Sequence, residues 1–110
     1  MNRRHEQNYV IDLQEGGYIR IRRTSVRGKI IAFTAQYESF IEGEFRPAVR
    51  YDTAHGRAHR DTLDWNGRPI RGPKEWLPES MDFNEAFTFA ERDLKAHWRE
   101  YRAAFLRRRR

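Results

Sequence analysis

With 110 residues, a formal net charge of +6 at pH 7 and no cysteine, the chain can build one modest core. It offers no disulfide, thiolate zinc site or cysteine nucleophile. No apolar run approaches the roughly 20 residues that span a bilayer, and Met1 to Gln7 leads into no apolar secretory segment. The expectation is one domain, 1–110, with no membrane association, in the cytoplasm.

Arg107 to Arg110 carry four of the positive charges and Arg3 with Arg4 two more, leaving the body balanced. The excess sits in a basic N-terminal tail, 1–6, and a basic C-terminal tail, 107–110, which either seek phosphate as flexible arms or solubilise the ends.

The first two thirds of the chain read with a period of two. Tyr9, Ile11 and Leu13 alternate with polar residues, Gly16-Gly17 turns the chain, and Ile19 and Ile21 alternate with Arg20 and Arg22. From Ile31, the set Phe33, Ala35, Tyr37, Ser39 and Ile41 faces one way while Thr34, Gln36 and Glu38 face the other. That pattern predicts one long strand with a buried side. After a turn at Glu42-Gly43, Phe45, Val49 and Tyr51 share a face, with Arg46, Arg50 and Asp52 opposite. Pro47 cannot donate a ladder hydrogen bond, so this strand begins at an edge or carries a bulge there.

Arg57 to Leu63 predicts a fifth strand, and Asn66-Gly67 a turn. Pro69, Pro73 and Pro78 with Trp65 and Trp76 then mark an ordered surface loop, either functional or pinned by its tryptophans. From Asp82 the period becomes helical, with Phe83, Phe87, Ala90, Leu94, Trp98, Tyr101 and Phe105 forming one stripe. Asp82 and Glu85 make a capping pair, and Glu91 with Lys95 an i,i+4 ion pair. The aromatic stripe is expected to pack on the Phe33, Tyr37 and Val49 side of the sheet. The predicted fold class is α+β: an antiparallel meander of four to six strands packed on one C-terminal amphipathic helix.

The candidate site is Arg50 to Asp61, where two histidines, two aspartates, three arginines and a tyrosine surround one glycine. A two-residue loop at His55-Gly56 would set Asp52 opposite His59 and Arg50 opposite Asp61, all four on the polar side of the hairpin and in water. A four-residue loop keeps the same residues on that side, whereas a three-residue loop would exchange faces. Such charged pairs brace a hairpin by roughly 0.2 to 1 kcal/mol each, a sufficient structural reason for them.

Histidine beside carboxylate also suits proton transfer near neutrality. Metal-independent RNA cleavage needs a base, an acid and a cation for the phosphorane. His59 oriented by Asp52, with His55 as counterpart and Asp61 nearby, would form the catalytic set. Arg50, Arg57, Arg60 and Tyr51 would hold substrate. A metal alternative uses His55, His59 and Asp61, but four extended residues separate the histidines by roughly 13 Å, so only a folded tip could unite them. No metal or other cofactor is expected. His5 falls in a tail and His97 on a helix surface. No phosphate-cradling glycine motif, nucleophile elbow or His-Glu-x-x-His helix occurs.

Arg50-Tyr51-Asp52-Thr53-Ala54-His55-Gly56 with His59 and Asp61, the Phe33 to Ile41 strand and the Asp93-Leu94 to Trp98-Tyr101 helix together resemble a family of small prokaryotic proteins of unknown function. The Arg-Tyr-Asp segment followed by glycine and histidines is also similar to TumE-like toxin components of toxin-antitoxin pairs. Those carry asparagine where this chain has Thr53, and space their histidines differently. That similarity implies a small toxin acting on RNA and neutralised by an antitoxin protein. Alongside this reading stand two others: a non-catalytic nucleic-acid-binding module, and an interaction protein docking a partner or a second copy, as a homodimer, through a sheet edge and the Trp65 to Trp76 loop.

Overall fold

The computed structural model describes residues 3–72 and 74–109. Met1 and Asn2 of the expected N-terminal tail, Pro73 of the proline-bearing loop and Arg110 of the C-terminal tail lie outside the described residues. Six strands, β1 (Arg4–Asp12), β2 (Gly17–Val26), β3 (Lys29–Ile41), β4 (Glu44–Asp52), β5 (His59–Thr62) and β6 (Glu75–Trp76), pair antiparallel in chain order. One helix, α1 (Phe83–Arg107), covers one face of this open meander. The α+β class and the single C-terminal helix agree with the sequence expectation.

Period-two burial explains the covered face. Phe33, Ala35, Tyr37, Ser39 and Ile41 of β3 are all buried, as are Ile19 and Ile21 of β2 and Val49 and Tyr51 of β4. The stripe of α1 meets them: Phe87 packs edge-on against Phe33 at 5.5 Å, and Trp98 lies 6.1 Å from Tyr37. The helix starts at Asp82, whose side chain accepts from the backbone N–H of Glu85 while the Glu85 side chain accepts from Asp82, the expected capping box. Lys95 donates to Glu91 at 2.8 Å.

The turn between β1 and β2 is held from across the sheet. Tyr37 donates its phenol to the Gly16 carbonyl at 2.8 Å. Gly17 has φ of +107°, and a Cβ there would sit 2.0 Å from the Glu38 carbonyl oxygen. Only glycine fits so close an approach. A further turn that composition did not flag joins β2 to β3 at Arg27 and Gly28, both with positive φ.

Four expectations change. Residues 4–6 of the basic N-terminal tail belong to β1, where His5 pairs with Ser25, because β2 continues far enough to supply ladder partners. At the other end Arg107 completes α1, Arg108 caps it, and Arg109 grips Glu42 through two hydrogen bonds of 2.7 and 2.5 Å. Neither arm is free over these residues.

The third change lies in β4. The register with β3 shifts between Tyr37 and Glu38, so Ala48 is an extra residue, the bulge that Pro47 signals. Beyond the bulge the faces exchange. Phe45 pairs with Phe40 on the uncovered side and is 50% exposed, whereas Arg46 turns inward over the ring of Trp65. Fourth, β5 is shorter than Arg57 to Leu63, and the following loop contributes a short sixth strand. The loop is pinned by its tryptophans: Trp65 stacks on Phe105 at 5.2 Å, and Trp76 is itself part of β6. Among the described residues no helix is long and apolar enough to cross a membrane.

Candidate functional site

The β4–β5 register places Asp52 opposite His59 and Arg50 opposite Asp61, the pairs that a loop centred on His55-Gly56 requires. Both tip residues take positive φ, 68° and 79°. The connection is nevertheless wider than a two-residue hairpin loop: the paired strands end at Asp52 and resume at His59, and a single 3-10 turn fills the tip. Asp52 stabilises that turn by accepting the Ala54 N–H at 2.9 Å.

His59 does not emerge into water. It is 1% exposed, and the indole of Trp76 lies over it with ring centroids 5.1 Å apart. Pairing of β6 with β5 sets Trp76 beside His59 and closes the side that the hairpin alone would leave open. Within this enclosure Nδ1 of His59 lies 3.1 Å from the Arg57 carbonyl. Its Nε2 faces Asp52 Oδ1 at 3.1 Å and Asp61 Oδ2 at 3.4 Å. Asp61 is also buried, and its other oxygen accepts from Lys74 at 2.9 Å. The described residues thus bring together Asp52, His59 and Asp61, with Lys74 and Trp76 as closing groups.

The remaining candidates are dispersed. His55 stands exposed at the tip and is not part of the histidine–carboxylate cluster, so the His55, His59 and Asp61 metal grouping does not form. Arg57 folds back on the arm, donating to the Leu77 carbonyl at 3.2 and 3.1 Å and stacking near Trp76. Tyr51 and Arg60 pair with each other on the helix-covered face, opposite His59. There Tyr51 donates to Asp93 at 2.7 Å and Tyr101 donates to the same oxygen at 2.5 Å. Arg60 donates to the Tyr101 hydroxyl and to Glu75. Burial first, and the hydrogen bond to Asp93 second, push both phenols well above their ordinary pKa. This network fastens α1 to the sheet and engages Tyr51 and Arg60 on the side away from His59.

Arg50 does stay on the uncovered face, donating to Gln36 at 2.7 Å. The register aligns it with Gln36 and Arg20, and on the next row aligns Asp52 with Thr34 and Arg22. Arg20 pairs with Glu38 at 2.9 Å. Glu38 also accepts from Tyr18 and Gln36. Its burial acts to raise the pKa, but the hydrogen bonds from Arg20, Tyr18 and Gln36 bring it below the ordinary carboxylate value. At the end of the same face, Tyr18, Phe45 and Phe40 form an aromatic cluster with centroids 4.8 and 4.9 Å apart. Sequence reasoning treated Arg20, Arg22 and the aromatics only as strand residues. The alternation of Arg20 and Arg22 with Ile19 and Ile21 was the available signal, since it puts both guanidinium groups opposite the core.

A profile of a domain of unknown function, DUF7718, matches residues 2–110. The chain belongs to the DUF7718 family. No curated protein and no solved structure matches it. The expected kinship with proteins of unknown function stands at this level, while family membership carries no activity with it.

Proposed function

We propose that the protein binds single-stranded RNA on the uncovered face of its sheet and that it does so without cleaving it. The observation that carries this reading is the basic and aromatic lining of that face. Arg20 and Arg22 on β2 and Arg50 on β4 flank β3, with Arg20 and Arg50 on the same row across Gln36 and Arg22 on the next. The partly exposed rings of Phe40 and Phe45 adjoin them with Tyr18. Adjacent strands lie about 4.8 Å apart, so Arg20 and Arg50 flank Gln36 at roughly 10 Å and can contact successive parts of one backbone. Guanidinium groups neutralise phosphates and release counterions, and aromatic faces stack bases with little sequence preference.

Non-catalytic binding is favoured over metal-independent ribonuclease action because the acid and base expected from sequence are not assembled. His59 has both ring nitrogens engaged under Trp76, and His55 stands apart at the tip. The test is fluorescence anisotropy with a labelled single-stranded RNA across a salt series. The expected affinity falls with salt by about 0.7 logarithmic units per tenfold salt for each phosphate contact. Arg22→Glu combined with Arg50→Glu should weaken binding at least tenfold, while His55→Ala and His59→Ala retain it. Binding insensitive to salt, or unchanged by the double charge reversal, overturns the reading. Incubation of the three histidine forms with mixed RNA in EDTA tests cleavage, and products formed by wild type but lost in either alanine variant would restore the ribonuclease.

A further inference from the structure

We infer that Asp52, His59 and Asp61 form a binding site for one divalent transition-metal ion, with Nε2 of His59 and one oxygen from each aspartate as ligands. The inference goes beyond RNA binding and does not depend on it.

Nδ1 of His59 lies 3.1 Å from the Arg57 carbonyl, a partner that can only accept. Nδ1–H is placed to donate to that carbonyl, and the ring aims Nε2 at the two carboxylates. A backbone carbonyl on one imidazole nitrogen is the arrangement that fixes the tautomer of a metal-binding histidine and frees the other nitrogen. Nε2 then meets not one acceptor but two, Asp52 Oδ1 at 3.1 Å and Asp61 Oδ2 at 3.4 Å. A proton on Nε2 can make one good linear hydrogen bond, so it serves one of these oxygens well and the other poorly. A cation among the three atoms serves both.

The separations fit such an ion. Imidazole nitrogen and carboxylate oxygen each sit about 2.1 Å from a zinc-sized ion, and two ligands subtending 90° to 110° at that distance are about 3.0 to 3.4 Å apart. The two nitrogen–oxygen distances fall on that range. All three ligand atoms lie within 4.8 Å of one another. The oxygen–oxygen edge must close to about 4.2 Å or less for a shared ion. Asp52 is the more exposed of the two carboxylates, its side chain 18% exposed against 8% for Asp61.

The surroundings supply a second layer. Lys74 holds the other oxygen of Asp61 at 2.9 Å, and the Ala54 N–H holds Asp52 at 2.9 Å. The indole of Trp76 limits access of water. One imidazole with two carboxylates is a mixed set that suits ions between the soft and hard extremes, so Zn²⁺ and Mn²⁺ are the appropriate probes. Three protein ligands leave positions on the ion open, as in sites where a metal also holds water or an exchangeable oxygen donor.

Calorimetric titration of the full chain with ZnCl₂ or MnCl₂ tests the assignment. One ion per chain should bind, with affinity reduced at least tenfold by Asp61→Asn and by His59→Gln, each first checked for native circular dichroism. Absence of binding up to millimolar ion, or wild-type affinity retained in both variants, overturns it, since the exposed His5, His55 and His97 would then account for any uptake. Should either variant fail to fold, long-range ¹H–¹⁵N spectra of the wild type decide. Zn²⁺ must shift the Nε2 resonance of His59 while its Nδ1 stays protonated, and an unmoved His59 ring at saturating zinc rejects the site.

Discussion

At the scale of single residues, two carboxylates have opposite uses. Asp93 receives the phenols of Tyr51 and Tyr101 on the covered side, whereas Glu38 neutralises Arg20 on the open side. Both phenols are held above the ordinary value of 10.0 in the folded chain. The native state therefore keeps protons that the unfolded chain releases, and the resulting stability is present below pH 10 and lost as pH rises further. Urea midpoints should fall between pH 9.5 and 11, and the Tyr51→Phe, Tyr101→Phe double variant should show a shallower decline over that window. For the proposed RNA binding, Glu38 has the opposite charge logic. Glu38→Gln leaves Arg20 uncompensated, so RNA affinity should rise several-fold in the anisotropy assay even as thermal stability falls. Weaker RNA binding by a folded Glu38→Gln protein would contradict the placement of the interface.

Among the elements, the strands and helix were legible because one-sided burial imposes its period on the sequence. Phe33 to Ile41 alternate since α1 covers only one side of β3, and the Phe83 to Phe105 stripe recurs at helical steps for the same reason. Alternation puts Tyr51 on the Val49 face, and Arg60 could have been assigned to the same covered face, because the register that opposes Asp52 to His59 also opposes these two. The bulge was only half legible: Pro47 announced an irregularity, but nothing local said that Ala48 would be the extra residue, and the faces of Phe45 and Arg46 depended on it. Enclosure of His59 was not legible, since Trp76 reaches it, and Lys74 reaches Asp61, only after a long loop in which Trp65 stacks on Phe105. Two substitutions test the local devices. Gly17→Ala forces a side chain into the Glu38 carbonyl at a positive φ. It should cost more than about 2 kcal/mol in chemical denaturation, beyond an ordinary loss for glycine replacement. Asp82→Ala removes the helix cap and should cost about 1 kcal/mol, read the same way.

For the whole molecule, one apolar layer between sheet and helix means that neither part has a core of its own. Unfolding followed by helical circular dichroism and by tryptophan fluorescence should give coincident transitions, Trp65 and Trp98 reporting the helix side and Trp76 the far edge of the sheet. A fluorescence change preceding the loss of helix would instead indicate that the β5–β6 edge opens independently. The chain order has a consequence during synthesis. Every strand pairs with its sequence neighbour, so the meander can zip up progressively as a ribosome extrudes it, yet α1 follows all six strands. For the time needed to translate Phe83 to Arg107, the nascent sheet offers Ile19, Phe33, Tyr37 and Val49 to solvent or to a chaperone. Premature termination in that interval would release an adhesive intermediate rather than a smaller working protein.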